Sequence, residues 1–215
     1  MTPLAEQFIR GLGRPAPATQ NAIHFQEEFV NMLWESVAPD VGAGWFLDRF
    51  VYLFGPGLER LHRCLDAWPA LVPPNHPDRM VLGYNVHGAI LVLENGNSAV
   101  PQVYLLEPYV GAYWTHEDIA FENLLGMWLP ERRLPYFLDT DVYEAWRGLT
   151  GRYLPEDTIL APKVPRDLGG ERTLENFQVE DLFEFHESAG AIHAKAAARV
   201  KQAAKKPPGP GGRKR

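Results

Sequence analysis

The chain has 215 residues, of which 46% are hydrophobic and 22% are charged, with a formal net charge of −6 at pH 7. This length is sufficient to bury a hydrophobic core without the help of disulfides or structural metals. The single cysteine, Cys64, excludes an intramolecular disulfide framework and a thiolate metal cluster, and it predicts a reducing compartment, the cytoplasm by default.

The N-terminal stretch MTPLAEQFIRGLGRPAP lacks the basic region and sustained apolar region of an export signal. The longest aliphatic run, AILVL at 89–93, is too short to span a bilayer. We therefore expect neither an export signal nor a membrane anchor.

Charge is distributed unequally along the chain. Residues 195–215 contain eight Lys or Arg and no acid, whereas the whole chain has 21 Lys and Arg and 27 Asp and Glu. Residues 1–194 therefore have 13 bases against 27 acids, a net charge of −14. An acidic body repels nucleic acid and attracts basic proteins, so we expect a basic protein partner and no sequence-specific nucleic acid. The alternative is that this charge only keeps the protein soluble.

The first third of the chain predicts helices and one strand. Residues 1–20, with several prolines and no steady period, predict a loose lead-in, and Asn21 is positioned to cap a helix that ends before Pro39. The run GWFLDRFVYLF at 44–54 predicts a strand, and apolar residues from Leu58 to Trp68 at spacings of three and four predict a second helix. The proline-rich segment 69–77 then indicates a boundary between a lobe at 21–72 and a domain at 78–198.

The second part of the chain predicts an α+β domain. The runs MVLGYNV, AILVLEN and QVYLLEP, joined by turn-forming residues, indicate an antiparallel meander. Thr115 and Asp118 have the spacing of a capping box and predict a helix, and Asp139 or Thr140 is a candidate cap for another. A final strand and helix are expected at 177–198, followed by a basic disordered tail at 199–215. In all, we expect one compact core with a mostly antiparallel sheet of about four to six strands flanked by amphipathic helices.

The segment PRDLGGERTLENFQVEDL at 165–182 raises the question of a phosphate-binding loop. It matches neither the Walker pattern nor GxGxxG, and Asp167 and Glu171 would repel phosphate. A backbone role, in which glycine permits a positive φ or close packing, is the better interpretation. The turn positions expected to be critical for the fold are Gly83, Gly88, Leu168, Gly169 and Gly170.

Candidate catalytic and metal-binding patterns are weak. His186 and Glu187 begin like a zincin helix, but the next histidine, His193, follows seven positions after His186 and does not recreate HExxH. We predict an exposed or capping histidine there, a core thiol at Cys64, and no catalytic residue, metal or cofactor. The acid pairs at 138–141 and 155–157 are interpreted as surface or partner-facing charge.

Two blocks of the sequence resemble a known family. LGYNVHGAILVLENGNSAVPQVYLLEP is similar to the sheet, and PEDTILAPKVPRDLGGERTLENFQVEDLFEFHESAGAI to the closing segment, of type VI secretion immunity proteins that protect against DNase effectors. Upstream, WFLDRFVYLF and the helix ending in CLDAWP look like the GAD-like lobe that precedes this domain. The family lies within or near the SUKH-type immunity superfamily. The final helix departs from the family pattern, since it passes into Ala, Lys and Arg.

The resemblance implies a non-enzymatic protein that binds and neutralises a cognate toxin in the cytoplasm. The residues expected to face the toxin are then the acids Asp139, Asp141, Glu156, Asp157, Glu171 and Glu175. One alternative is an intracellular scaffold whose basic tail recruits nucleic acid or an acidic protein. Another is a hydrolase that uses clustered carboxylates, which would require a pocket with two inward carboxylates and an unsatisfied histidine.

Overall fold

Seven strands form an antiparallel sheet in the order of the chain, within residues 1–19, 28–74, 79–94 and 101–205, which are the residues that this computed structural model describes. The strands are β1 (Ala18–Thr19), β2 (Ala43–Phe46), β3 (Val51–Leu53), β4 (Arg79–Asn85), β5 (Ile90–Glu94), β6 (Gln102–Glu107) and β7 (Ala112–Ala120). A separate two-stranded ribbon contains β8 (Thr158–Pro162) and β9 (Phe177–Asp181). The expected α+β class and the meander of β4, β5 and β6 are confirmed.

The helices in the described ranges are α1 (Pro3–Leu12), α2 (Glu28–Val41), α3 (His62–Asp66), α4 (Phe121–Asn123), α5 (Pro135–Leu138), α6 (Asp141–Thr150) and α7 (Leu182–Lys205). Short 3₁₀ turns lie at Leu58–Leu61, Arg166–Leu168 and Leu174–Asn176, and a π-helical turn at Leu124–Trp128 continues α4. None of the helices in these ranges has the length and apolar character that crossing a membrane requires.

The sheet is covered on both faces, which explains why its central strands are apolar throughout. All five residues of β5 are buried. Leu91 and Leu93 pack into a cluster with α1, α2 and the π-helical turn, whereas Ile90 and Val92 pack into a cluster with α3, α7 and β8. Because side chains alternate along a strand, a run of apolar residues buries both faces at once.

The expectation of a loose lead-in at 1–20 is wrong. Helix α1 begins after Thr2, whose hydroxyl accepts a hydrogen bond from the Ala5 amide at 3.2 Å, and its Phe8 and Leu12 are buried. Pro3 favours this start because the first helical residue needs no amide hydrogen. Helix α2 also continues past Pro39 to Val41, since a proline in the last turn removes only one backbone bond. The predicted cap Asn21 lies outside the described residues.

The single strand expected at 44–54 is in fact a hairpin. Strands β2 and β3 are joined by a turn in which Leu47, Asp48 and Arg49 all have positive φ, at 49°, 55° and 64°. Strand β3 then pairs with β4, with Leu53 opposite Gly83. One sheet therefore crosses the boundary that the proline-rich segment 69–77 indicated.

Two further boundaries differ from expectation. Thr115 does not cap a helix but lies in β7, where its hydroxyl donates to the Val103 carbonyl oxygen at 2.6 Å, and the next helix begins at Phe121. Helix α7 continues to Lys205 rather than ending near 198, and residues 206–215 of the expected tail lie outside the described residues. The predicted order of strand and then helix at 177–198 is confirmed.

Candidate functional site

The six acids expected to face a partner lie at two separate places. Glu156 and Asp157 precede β8, whereas Glu171 and Glu175 precede β9. The two strands are antiparallel, with Thr158 opposite Asp181 and Pro162 opposite Phe177, so the two acidic pairs lie at opposite ends of the ribbon.

Asp157 has an internal role. Its two carboxylate oxygens each lie 2.7 Å from a guanidinium nitrogen of Arg60, and its carbonyl oxygen accepts the Leu182 amide at 2.8 Å. Glu156 lies 3.7 Å from the same guanidinium, but 83% of its side chain is exposed. Asp157 therefore joins the turn before α3 to the start of α7, and its carboxylate is already neutralised.

The other four acids come together around α6. A guanidinium nitrogen of Arg172 lies 3.2 Å from Asp139 Oδ2, and Asp139 Oδ1 accepts the Asp141 amide at 3.2 Å. The 3₁₀ turn that contains Glu175 packs against α6. Glu144, which the sequence reasoning missed, is exposed on the same helix and accepts a hydrogen bond from Thr140. Asp139 is already paired with Arg172, as Asp157 is with Arg60, so we call Asp141, Glu144, Glu171 and Glu175 the acidic surface.

Two exposed apolar or aromatic side chains lie at and just beyond the C-terminal end of α6. Val142 and Tyr143 turn into the core, which leaves Leu149 at the other end of α6 with 80% exposure. Tyr153 follows at 42% exposure, with the guanidinium carbons of Arg49 and Arg147 at 4.6 and 4.0 Å from its ring centroid. Exposed apolar and aromatic groups beside charges are the composition of a protein-binding surface.

The glycine-containing loop at 165–172 closes against the sheet. Gly169 has φ of 88°, and a Cβ at Gly170 would lie 1.8 Å from the Val164 carbonyl oxygen. The Tyr109 hydroxyl donates to the Gly170 carbonyl oxygen at 3.0 Å. Leu168 lies in the same turn, where its amide donates to the Pro165 carbonyl oxygen at 3.1 Å, and its side chain is 70% exposed. The two glycines shape this corner, and Leu168 projects from it.

Two glycines of the expected set lie in or beside β4. A Cβ at Gly83 would lie 2.4 Å from the Tyr52 carbonyl oxygen, where β4 approaches β3 closely. Gly88 has φ of 78° in the turn between β4 and β5. Both positions therefore restrict the side chain that the backbone accepts.

Beneath the glycine-containing loop is a small cavity of about 20 Å³, a volume that one water molecule occupies. Three buried atoms there have no hydrogen-bond partner among the described protein atoms: His87 Nε2, Glu107 Oε1 and Arg172 Nε. Burial lowers the pKa of His87 to about 4 and raises the pKa of Glu107 to about 7. The described lining of this cavity supplies one carboxylate, whereas the hydrolase alternative requires two.

His186 is not exposed or capping, as the sequence predicted, but fully buried. Burial lowers its pKa to about 4, and its Nδ1 accepts a hydrogen bond from Trp68 Nε1 at 2.9 Å. Cys64 is buried in the same layer, as expected for a core thiol, and burial raises its pKa to about 12. Within the described part of the chain, no three His, Cys, Asp or Glu side chains are grouped to hold a metal ion.

Comparison with known proteins defines the fold and no more. No family model matches the chain, and no curated protein matches it significantly. Among solved structures, the crystal structure of Atu4351 from Agrobacterium tumefaciens is similar, with a TM-score of 0.52 and 15% sequence identity over 89% of this chain and 88% of that one. At this identity the similarity shows a shared α+β architecture alone.

Proposed function

We propose that this protein is an immunity protein that binds a basic toxin in the cytoplasm, a nuclease effector of type VI secretion, and blocks it by occlusion. The observation that carries the proposal is the acidic surface. Asp141 and Glu175 are more than 30 positions apart in the sequence, yet Asp141 lies in α6 and Glu175 lies in a turn that packs against it. This surface belongs to a body whose residues 1–194 carry a net charge of −14.

Charge explains how such a surface would recognise a nuclease. A nuclease presents a basic groove to the phosphates of its substrate, and exposed carboxylates compete for that groove and accelerate encounter. Asp141, Glu171 and Glu175 are exposed and suited to this role, whereas Asp157 is already paired with Arg60. Leu149, which is 80% exposed on the same helix, supplies apolar area for such a contact.

The test is capture of a candidate nuclease toxin encoded beside this gene, measured by calorimetry and by survival of cells that express both proteins. The double variant Asp141→Lys/Glu144→Lys reverses two charges of the acidic surface. A matched control, Glu6→Lys/Glu122→Lys, makes the same change in net charge in the first turns of α1 and α4. We expect the α6 variant to weaken capture roughly 100-fold, as for close charge pairs at interfaces, and the control to weaken it much less.

The outcome that would exclude this surface is unchanged capture by a folded α6 variant, or an equal loss in both variants. Thermal unfolding of each variant establishes that it is folded. If no neighbouring toxin is captured or neutralised by the native protein, the proposed function itself is wrong.

The scaffold alternative is favoured by a different observation. The second half of α7 carries Lys195, Arg199 and Lys201, all in the described part of the helix, and Arg199 and Lys201 are exposed. Deletion of residues 195–215 distinguishes the two functions. Toxin capture by the acidic surface should survive this deletion, whereas recruitment of an acidic partner by the basic segment should be lost.

A further inference from the structure

A groove of about 480 Å³ opens between the β2–β3 hairpin and the segment 154–158. Its volume lies in the range of small-molecule binding sites. The side chains that define its chemistry are those of Trp45, Arg49, Tyr52, Arg60, Tyr84 and Glu156. None of these except Glu156 entered the sequence-based expectations for a site.

Three aromatic rings form the floor of the groove because of the register of the sheet. Trp45 of β2 lies opposite Tyr52 of β3, and Tyr52 lies opposite Tyr84 of β4. The ring centroids are 5.3 Å apart for Trp45 and Tyr52, and 5.8 Å apart for Tyr52 and Tyr84. Trp45 and Tyr52 are only partly buried, so aromatic surface remains open to the groove. Such rings stack on planar ligands, and each stacked base contributes about 1–3 kcal/mol.

The lining of the groove contains two guanidinium groups and one carboxylate, those of Arg49, Arg60 and Glu156. The guanidinium of Arg60 is neutralised by Asp157 and approached by Glu156. Arg49 has no carboxylate within ion-pair distance among the described residues, and its guanidinium lies over the ring of Tyr153. One unneutralised guanidinium beside an aromatic floor favours a ligand that carries an anionic group.

The backbone that presents Arg49 is held in an unfavourable conformation. Leu47, Asp48 and Arg49 all have positive φ, which costs about 1–2 kcal/mol per non-glycine residue. Residues in and after α6 hold the turn, since the Tyr153 hydroxyl donates to Asp48 Oδ1 at 2.8 Å and the Tyr143 hydroxyl donates to the Asp48 carbonyl oxygen at 3.0 Å. Strain that the surrounding structure maintains is concentrated at ligand sites.

We propose that this groove binds a planar aromatic anion of the size of a mononucleotide. The planar ring stacks on Trp45 and meets Tyr52 edge-on, because these two rings are tilted by 59° to each other, and the phosphate pairs with Arg49. A longer nucleic acid is disfavoured because its many phosphates would meet the field of a body with a net charge of −14. This site is independent of toxin binding by the acidic surface.

The test is titration of the full chain with AMP, adenosine and inorganic phosphate. Binding is measured by calorimetry and by the NMR signal of the Trp45 indole. We expect saturable binding of AMP that shifts the Trp45 signal, and weaker binding of adenosine. Arg49→Gln should reduce the affinity for AMP by about tenfold, the loss of one charge-assisted contact, and leave adenosine binding unchanged. Arg152→Gln removes an exposed arginine that does not line the groove and should change neither.

Several results would overturn the site. These are the absence of saturable AMP binding to the native protein, equal affinities for AMP and adenosine, or an equal loss in the Arg49 and Arg152 variants. Binding of inorganic phosphate as tight as that of AMP would show a simple anion site and exclude a role for the aromatic floor. Because the indole signal is measured on the native protein, the test does not depend on a variant that folds.

Discussion

Trp68 and His186 are joined in the buried layer beneath the sheet by a hydrogen bond of 2.9 Å from the indole nitrogen to Nδ1. Because the indole only donates, Nδ1 of His186 must be unprotonated for this bond to form. The imidazole is also fully buried, which lowers its pKa to about 4. The contact between α7 and the residues after α3 therefore requires a neutral histidine.

This requirement predicts acid-sensitive stability. The pKa of His186 is lower in the folded state, about 4 against 6.5, so its contribution to stability is complete above pH 6.5 and is lost as the pH falls towards 4. Between pH 7.5 and 4.5 the loss is on the order of 2 to 3 kcal/mol. His186→Gln should show a correspondingly smaller loss in urea unfolding between these two pH values. An equal loss in both proteins would contradict the assignment. Glu107, whose raised pKa changes stability with pH in the opposite direction, is present in both proteins and does not affect the comparison.

The two glycines of the loop at 165–172 should respond differently to alanine. At Gly169 the φ of 88° makes alanine strained, but no atom lies within 4 Å of the added Cβ, so we expect a cost of about 1–2 kcal/mol. At Gly170 the Cβ would lie 1.8 Å from a backbone oxygen, so the loop must move and Gly170→Ala should cost more. The measurement is the free energy of unfolding of both variants. A larger loss at Gly169 would show that the backbone conformation, and not close packing, governs this corner.

Substitutions of the two neighbouring acids before β8 should change the stability of the protein by different amounts. Asp157→Asn retains a side chain that tolerates its φ of 58° but removes the charge that pairs with Arg60, so we expect a loss of about 1–3 kcal/mol. Glu156→Gln, at a side chain that is 83% exposed, should change stability by less than about 0.5 kcal/mol. Chemical unfolding of the two variants at pH 7 provides the comparison. Similar losses of unfolding free energy in both variants would mean that the ion pair between Arg60 and Asp157 does not stabilise the fold.

The sequence predicted elements whose local pattern agrees with their tertiary setting. The meander of β4 to β6 combines apolar runs with turn residues, and both signals are local. The β2–β3 hairpin is not predicted by the sequence because its turn contains no glycine or asparagine, and distant residues such as Tyr143 and Tyr153 help to hold it. Thr115 was assigned to a helix because a capping-box spacing is local, whereas the pairing of β7 with β6 that overrides it is not.

The candidate site was predictable only in part. The sequence identified the acidic residues but not their burial. Asp157 and Glu156 are adjacent in the chain, yet Asp157 is paired with Arg60 while the side chain of Glu156 is largely exposed. The aromatic floor could not be predicted from the sequence, because Trp45, Tyr52 and Tyr84 come from three strands and meet only through the register of the sheet. Such groupings depend on pairing between distant segments, which no local pattern encodes.

The C-terminal half of α7 concentrates positive charge in one place. From Ala194 to Lys205 the helix extends by about 17 Å and carries bases without acids, while the acids are distributed over the body. A helix is stiff, so these positive charges are held along one line. In low salt, positive charge on an approaching protein is repelled by this end of the helix and attracted by the acids of the body. For the basic partner proposed above, we therefore expect the approach to be biased away from the end of α7 and towards the acidic surface.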